Sequence, residues 1–100
     1  MNVEAGTYNE NITVNKDVTV HGQDRTLTII NGGGVGAAIT GAGATFEGFT
    51  VQNASTYGVY PQADNVTIRD NEITKNDTGI ELSGAVGGTL VTGNDIHHND

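Results

Sequence analysis

The apolar residues of this 100-residue chain fall in short runs that alternate with threonine or charged residues. Val18-Thr-Val20 and Val66-Thr-Ile68 are typical runs. Alternation with a period of two predicts a β-strand with one buried face. Asn, Asp and Gly residues separate the runs, and these residue types favour tight turns. No stretch has the apolar period of an amphipathic helix, so the pattern predicts an all-β protein.

Three such runs recur in the same order every 22 or 23 residues. The apolar anchors of one run are spaced by 22, 22 and 23 residues: Ile29, Val51, Ile73 and Ile96. A coil of this length cannot bury its own apolar face, so successive coils must stack strand on strand, about 4.8 Å apart. We therefore expect a parallel β-solenoid with three short strands per coil, in a single domain over residues 1–100. The predicted coils are approximately 8–31, 32–53, 54–76 and 77–100.

Stacked coils place equivalent residues in columns. Three inward columns are predicted: Val18, Ala44, Val66 and Thr89; Val20, Phe46, Ile68 and Val91; and Ile29, Val51, Ile73 and Ile96. In the last coil Leu90 competes with Val91 for the inward position. Asparagines tolerate left-handed turns and their stacked amides can hydrogen-bond between coils. They predict a structural ladder at one corner: Asn31, Asn53, Asn76 and Asn99. A second corner is predicted at Gly22, Gly48, Asn71 and Asn94.

Three longer segments carry a family resemblance: Ile68-Arg-Asp-Asn-Glu-Ile-Thr-Lys-Asn76, Thr78-Gly-Ile-Glu-Leu82 and Val91-Thr-Gly-Asn-Asp-Ile-His-His-Asn99. They resemble the NosD-type repeats of the pectin-lyase-like superfamily, also described as carbohydrate-binding and sugar-hydrolase repeats. The resemblance implies a right-handed parallel β-helix. It does not imply one activity, because the same scaffold carries lyases, esterases, epimerases, adhesins and inert stalks.

The chain is acidic, with 12 Asp and Glu against four Lys and Arg and a net charge of −8. We expect neither a nucleic-acid partner nor an anionic-membrane partner, since both need a basic face. The lack of cysteine excludes disulfides, zinc–thiolate sites and thiol catalysis. The first residues predict no signal peptide in this chain. The acidity suits either solubility or the binding of divalent cations.

Carboxylates on neighbouring rungs give the candidate metal site. If Thr28, Thr50, Glu72 and Asp95 form an outward column, its two carboxylates lie about 5 Å apart, which raises one pKa or attracts a cation. We therefore predict Asp70, Glu72 and Asp95 as candidate calcium ligands. The alternative is a set of solvated carboxylates that splay apart. No other cofactor is predicted.

Three further outward features have candidate roles. Tyr60 is predicted to lie where its ring could stack on a sugar. Arg69 is expected to form an ion pair with Glu47 one coil below. The pair His97-His98 suggests copper, but adjacent residues of a strand point to opposite faces. We therefore do not expect these histidines to chelate one ion.

Three functions remain open. The chain is a structural or carbohydrate-binding segment of an extracellular or surface protein, or it is a fragment of a polysaccharide-active lyase, esterase or epimerase that lacks its catalytic coils. An outward cluster of three or more carboxylates with an Arg or Lys in a groove would favour the enzyme. Alternatively, the chain is an assembly module. The last repeat stops at Asp100 without a cap and would expose Val91 and Ile96 beside unpaired backbone groups. This pattern predicts a homo-oligomer through the last rung, or a longer solenoid.

Overall fold

The computed structural model describes residues 2–82 and 87–99. Within these two ranges every regular element is a β-strand, and fourteen strands form three parallel sheets. The predicted all-β solenoid with three short strands per coil is confirmed. Over the same residues no helix is long and apolar enough to cross a bilayer.

The three sheets are designated A, B and C. Sheet A has the spatial order β1 (Asn2–Val3), β4 (Thr19–Gly22), β7 (Thr45–Glu47), β10 (Thr67–Arg69) and β13 (Leu90–Thr92). Sheet B has the order β2 (Gly6–Tyr8), β5 (Thr28–Asn31), β8 (Thr50–Gln52), β11 (Glu72–Thr74) and β14 (Asp95–His97). Sheet C has the order β3 (Ile12–Val14), β6 (Ala37–Ile39), β9 (Tyr57–Pro61) and β12 (Thr78–Ile80). Every third strand therefore joins the same sheet, one rung further along the axis.

The predicted inward column of sheet A is confirmed by the strand register. Val20 pairs with Phe46, Phe46 with Ile68, and Ile68 with Val91. This register assigns the inward position of the last rung to Val91. Leu90 instead pairs with Thr67 and is 54% exposed.

The interior between the sheets is narrow and mostly apolar. Its two largest members, Phe46 and Phe49, stack in parallel with ring centroids 4.5 Å apart and an interplanar angle of 6°. Both rings are fully buried, as are Ile68 and Ile73 on the next rung. Burial of one such side chain stabilises the fold by about 1.5–3 kcal/mol. A short stack of these residues therefore replaces the wide core of a conventional domain.

The predicted inward column of sheet B is wrong at its first member, Ile29. Ile30 pairs with Val51, whereas Ile29 pairs with Thr50 on the outer face. Ile30 is 1% exposed, and Thr28, two residues before it, is also fully buried. The Thr28 hydroxyl accepts a hydrogen bond from the backbone of the preceding turn at 3.1 Å. Because side chains alternate along a strand, an inward Thr28 is followed by an outward Ile29 and an inward Ile30. The remaining three members of the column, Val51, Ile73 and Ile96, are in register as predicted.

The four asparagines of the predicted ladder do not form one column: Asn31 ends β5 and pairs with Gln52, and Asn53 lies one residue before the position that Asn76 and Asn99 share. Asn53 is exposed, and its Nδ2 donates to Oδ1 of Asn31 at 2.5 Å. Its φ of 62° matches those of Lys75 and His98, and its backbone amide donates to the Lys75 carbonyl at 3.1 Å. Asn53 is therefore equivalent to Lys75, one residue before Asn76, because the strands of sheet B repeat here after 22 residues, whereas the predicted ladder placed Asn53 and Asn76 23 residues apart.

Asn76 and Asn99 occupy equivalent positions of the ladder, and Asn76 is buried. Asn76 is 3% exposed, and its Oδ1 accepts a hydrogen bond from the Ala54 amide at 2.9 Å. Its Nδ2 donates to the Val51 carbonyl at 3.1 Å and to Oδ1 of Asn99 at 3.2 Å. The amide thus satisfies the backbone of the rung below where the chain leaves sheet B.

A second asparagine pair occupies the corner between sheets A and B. Asn71 is fully buried, accepts from the Phe49 amide at 3.0 Å, and donates to Oδ1 of Asn94 at 3.1 Å. The last two members of the predicted column are shifted by one residue, because the positive φ angles belong to Gly48, Asp70 and Gly93. In these last two coils the left-handed residue comes first, and the asparagine follows it.

The two asparagine environments predict different costs of substitution. Asn76→Ala leaves the Ala54 amide and the Val51 carbonyl without their partner. We expect a loss of about 2–4 kcal/mol in the free energy of unfolding, since each orphaned group costs about 1–3 kcal/mol. Asn53→Gly, which tolerates the positive φ, should change it by only about 0.5 kcal/mol. Urea unfolding followed by circular dichroism measures both values, and equal losses would contradict the assignment.

Candidate functional site

The outer face of sheet B carries a groove of about 400 Å³. Its floor is formed by outward residues of four successive strands: Ile29, Thr50, Gln52, Glu72, Thr74 and His97. Thr26 lies at one side, before β5, and Lys75 and His98 lie at the other, after β11 and β14. Most of the residues that line the groove are thus of polar types, and they come from four coils.

One wall of the groove is the turn that precedes β5. The Asp24 carboxylate accepts hydrogen bonds from the Thr26 amide at 2.9 Å and from its hydroxyl at 2.8 Å. These contacts lower the pKa of Asp24. The Thr50 hydroxyl donates to the Arg25 carbonyl at 2.5 Å, which holds the turn against the sheet. The Arg25 guanidinium extends along the axis to the Gly93 carbonyl, 3.4 Å away.

Two carboxylates and one imidazole converge at this groove: Glu72 and His97 line it, and Asp95 lies beside them. Glu72 pairs directly with Asp95 on the next rung, and His97 lies two residues further along β14. His97 Nε2 is 3.0 Å from Glu72 Oε2 and 3.9 Å from Asp95 Oδ2. One ligating atom from each of the three residues lies within 4.8 Å of the other two. Across residues 2–82 and 87–99, this is the group of three that could hold a metal ion.

The predicted ligand set therefore changes in one member. Glu72 and Asp95 come together as expected, but Asp70 is not part of the cluster. Asp70 lies at the corner before β11 with a φ of 56°, where its carboxylate adjoins the corner at Gly93. A turn residue has no fixed inward or outward face, so the alternation along the strand could not place it. Calcium binding itself stays a prediction.

The expectation that His97 and His98 point to opposite faces is wrong. Strand β14 ends at His97, and His98 has a φ of 55°. The reversal at His98 brings the two Nδ1 atoms to 2.5 Å, with ring centroids 4.8 Å apart. Period-two alternation applies only within a strand. The sequence does contain a signal for the end of the strand, because His98 is equivalent to Lys75 and Asn53 in the earlier coils. His98 and Lys75 directly precede a recurring asparagine, and Asn53 is itself one of the recurring asparagines.

The floor of the groove contains a buried hydroxyl without a partner. Thr74 is 5% exposed and pairs with His97 on the next rung. Its Oγ1 is buried and makes no hydrogen bond to the residues that the structure describes. Buried polar atoms are bonded in the great majority of cases, so this hydroxyl calls for an explanation.

Sheet C presents a different candidate surface, formed by two tyrosines. Tyr60 pairs with Ala38 in the ladder, and its ring meets that of Tyr57 at 4.9 Å with an interplanar angle of 60°. Both side chains are partly exposed. The sequence identified Tyr60 and missed Tyr57, because residues three apart on a strand should face opposite ways. A Cβ at Gly58 would lie 2.7 Å from Nδ2 of the interior Asn76, so the chain bends inward between the tyrosines and leaves both outside.

The outer face of sheet A carries the predicted ion pair. Arg69 Nε lies 2.5 Å from Glu47 Oε1, which confirms the expected contact between neighbouring rungs. His21 Nδ1 approaches the other oxygen of the same carboxylate at 2.7 Å. The hydrogen bond from Arg69, and to a smaller extent that from His21, lowers the pKa of Glu47. The contact is a surface ion pair, and such pairs contribute little to stability.

Comparison with known proteins identifies one match. A family model described as "Right handed beta helix region" matches residues 8–100. None of the curated proteins and none of the solved structures matches the chain. The match describes a fold and names neither a ligand nor a reaction.

The Glu47 contacts predict a pH dependence of stability. The pKa of Glu47 in the folded protein is below its ordinary value of 4.5, so the unfolded chain takes up the proton first as the pH falls. The contribution of Glu47 is therefore complete above pH 4.5 and is lost as the pH falls through the folded-state pKa. Urea unfolding at a series of pH values should show that, as the pH falls, Glu47→Gln loses less free energy of unfolding than the parent. Identical pH profiles for the variant and the parent would contradict the contacts.

Proposed function

Since this chain belongs to the right-handed β-helix family, we propose that it is a carbohydrate-binding segment of an extracellular or cell-surface protein, without a catalytic site of its own. The observation that carries the proposal is the pair of partly exposed tyrosine rings on the outer face of sheet C. The pectin-lyase-like superfamily fits this fold, and polysaccharides are the ligand class that the sequence resemblance implies.

The tyrosine pair has the chemistry that a sugar requires. An aromatic ring offers a flat apolar face, and the phenol group adds a polar edge. The rings of Tyr57 and Tyr60 meet at 60°, so they present surfaces in two directions. Ala38, beside Tyr60 on one neighbouring rung, is small, and Glu81 follows β12 on the other. A pyranose could therefore stack on a ring while its hydroxyls reach polar neighbours.

The charge of the chain favours a neutral polysaccharide over an acidic one. The net charge is −8. A protein of this charge repels a polyanion within the Debye screening length of the solution. We therefore propose a neutral polysaccharide as the ligand.

We prefer binding without cleavage to the enzyme alternative because of the charged residues at the sheet B groove. The expected mark of an enzyme is three or more carboxylates with a cation in a groove. Within the part of the chain that the structure describes, two carboxylates come together here: Glu72, which lines the groove with Lys75, and Asp95, which pairs with Glu72 on the next rung. The pair of carboxylates falls short of that criterion.

The proposal predicts the effect of removing the aromatic rings. Affinity electrophoresis with soluble xyloglucan, galactan and dextran should show binding to at least one of them. Tyr60→Ala and Tyr57→Ala should each weaken that binding by about tenfold, as for a central aromatic contact. Tyr60→Phe, which keeps the ring, should retain most of it. Thr13→Ala, on the same face of sheet C two rungs away, is the matched control.

Two results would contradict the proposal. If the double variant Tyr57→Ala/Tyr60→Ala binds the polysaccharides as well as the parent, the tyrosine pair is not the site. If the parent chain releases reducing ends from a polysaccharide, including polygalacturonate, the enzyme alternative replaces the proposal.

A second function, self-association, is favoured by the exposed apolar residues of the fourth coil. Val91 is 37% exposed and Ile96 is 46% exposed, although both occupy inward positions of their ladders. At the opposite end, the first coil carries an apolar hollow of about 260 Å³, lined in part by Val3 and Ile12. We propose that a second copy of the chain stacks its first coil on this fourth coil, in the head-to-tail manner that produces open assemblies.

This stacking predicts a concentration-dependent sedimentation coefficient for the 100-residue chain. Val91→Glu/Ile96→Glu should remove the dependence, because the buried charges would oppose stacking. Leu27→Glu, which changes an exposed leucine on the turn before β5, should leave it intact. A chain that sediments as a monomer at every concentration would contradict self-association.

A further inference from the structure

We propose that the groove on sheet B binds a divalent transition-metal ion of the Zn²⁺ class, with Glu72, Asp95 and His97 as its protein ligands. This site lies on a different sheet from the tyrosine pair and does not depend on carbohydrate binding. It also differs from the calcium site expected from the sequence, because an imidazole takes the place of Asp70.

The three ligating groups are already close to the geometry of a small ion. Donor atoms around a tetrahedral ion with bonds of about 2.0–2.2 Å are roughly 3.3–3.5 Å apart. Nε2 of His97 lies 3.0 Å from the Glu72 carboxylate and 3.9 Å from that of Asp95. These two separations fall on either side of the required value, and the ligating oxygens of Glu72 and Asp95 lie within 4.8 Å of each other. Rotation of the exposed Asp95 and of the partly exposed Glu72 and His97 would bring all three donors onto one ion.

The chemistry of the donors selects the ion. Ca²⁺ and Mg²⁺ are bound in proteins by oxygen ligands, whereas imidazole suits zinc, copper, iron and nickel. Imidazole nitrogen and Asp or Glu oxygen are both Zn²⁺ ligands, and three protein ligands leave a fourth position open to water. The open groove on sheet B gives solvent access to that position.

His98 supplies the support that a metal-binding histidine needs. When Nε2 of His97 binds an ion, the remaining ring proton is on Nδ1. That atom lies 2.5 Å from Nδ1 of His98, so His98 can accept its hydrogen bond. Such a partner fixes the tautomer and the orientation of a ligating imidazole. The left-handed backbone at His98 is what places the second ring behind the first.

The unpartnered hydroxyl of Thr74 is the independent observation that points to a ligand. It is buried in the floor of the groove, on the rung next to His97 and two residues from Glu72. A hydroxyl can both donate and accept a hydrogen bond. A water molecule bound to the ion, or a ligand carboxylate rotated toward the ion, would provide the hydrogen-bond partner that this hydroxyl lacks.

Calorimetric titration of the tag-free protein with ZnCl₂ tests the site. We expect one ion to bind per chain, and His97→Ala, Glu72→Gln and Asp95→Asn to weaken binding severely. His98→Gly keeps the backbone conformation and should lower the affinity by about 10- to 100-fold, the usual effect of losing an orienting partner. Lys75→Gln removes a cation from the same groove and should bind at least as tightly as the parent.

Matched controls separate this site from other histidines and from the tyrosine surface. His21→Ala removes an imidazole that also contacts a glutamate, on sheet A, and should leave Zn²⁺ affinity unchanged, as should Tyr60→Ala. The proposal is overturned if the parent binds no Zn²⁺ or if His97→Ala binds it equally well. It is also overturned if Ca²⁺ binds more tightly than Zn²⁺ and Asp70→Asn abolishes that binding.

Discussion

Hydrogen bonding between successive coils is the constraint on which the rest of this structure depends. Each parallel strand is bonded to the equivalent strand one coil away, so every coil must return to the same place after almost the same number of residues. Side chains then form columns along the axis whatever their chemistry. Glu72 and Asp95, 23 residues apart in the chain, become direct neighbours for this reason, and so do Glu47 and Arg69.

Asparagine pairs enforce that constraint at two corners. Asn71 and Asn94 hold the chain where it enters sheet B, and Asn76 and Asn99 hold it where it leaves. Each amide bonds to backbone groups of a neighbouring coil that a turn would otherwise leave unsatisfied. Satisfied networks of this kind rigidify a protein, whereas partial ones are costly. The short strands between the two corners carry Glu72, Asp95 and His97.

The period of the sequence was enough to predict the fold, the column of Val20, Phe46, Ile68 and Val91, and the ion pair of Glu47 with Arg69. It failed where strands end. A constant 22-residue repeat predicts an inward Ile29, yet the spacing from Ile30 to Val51 is one residue shorter. Alternation predicts that His98 continues the strand, whereas its backbone is left-handed. The position of Asp70 depends on the same kind of corner. An inward or outward face can be predicted from alternation within a strand, but a corner conformation cannot.

The register between coils can be measured directly by nuclear Overhauser contacts in an isotope-labelled sample. The register of sheet B predicts backbone contacts from Val51 to Ile30 on one side and to Ile73 on the other, together with a contact between His97 and Thr74. Contacts from Val51 to Ile29 in place of Ile30 would restore the constant period and remove the basis for the groove as described. The absence of contacts between residues one coil apart would contradict the solenoid itself.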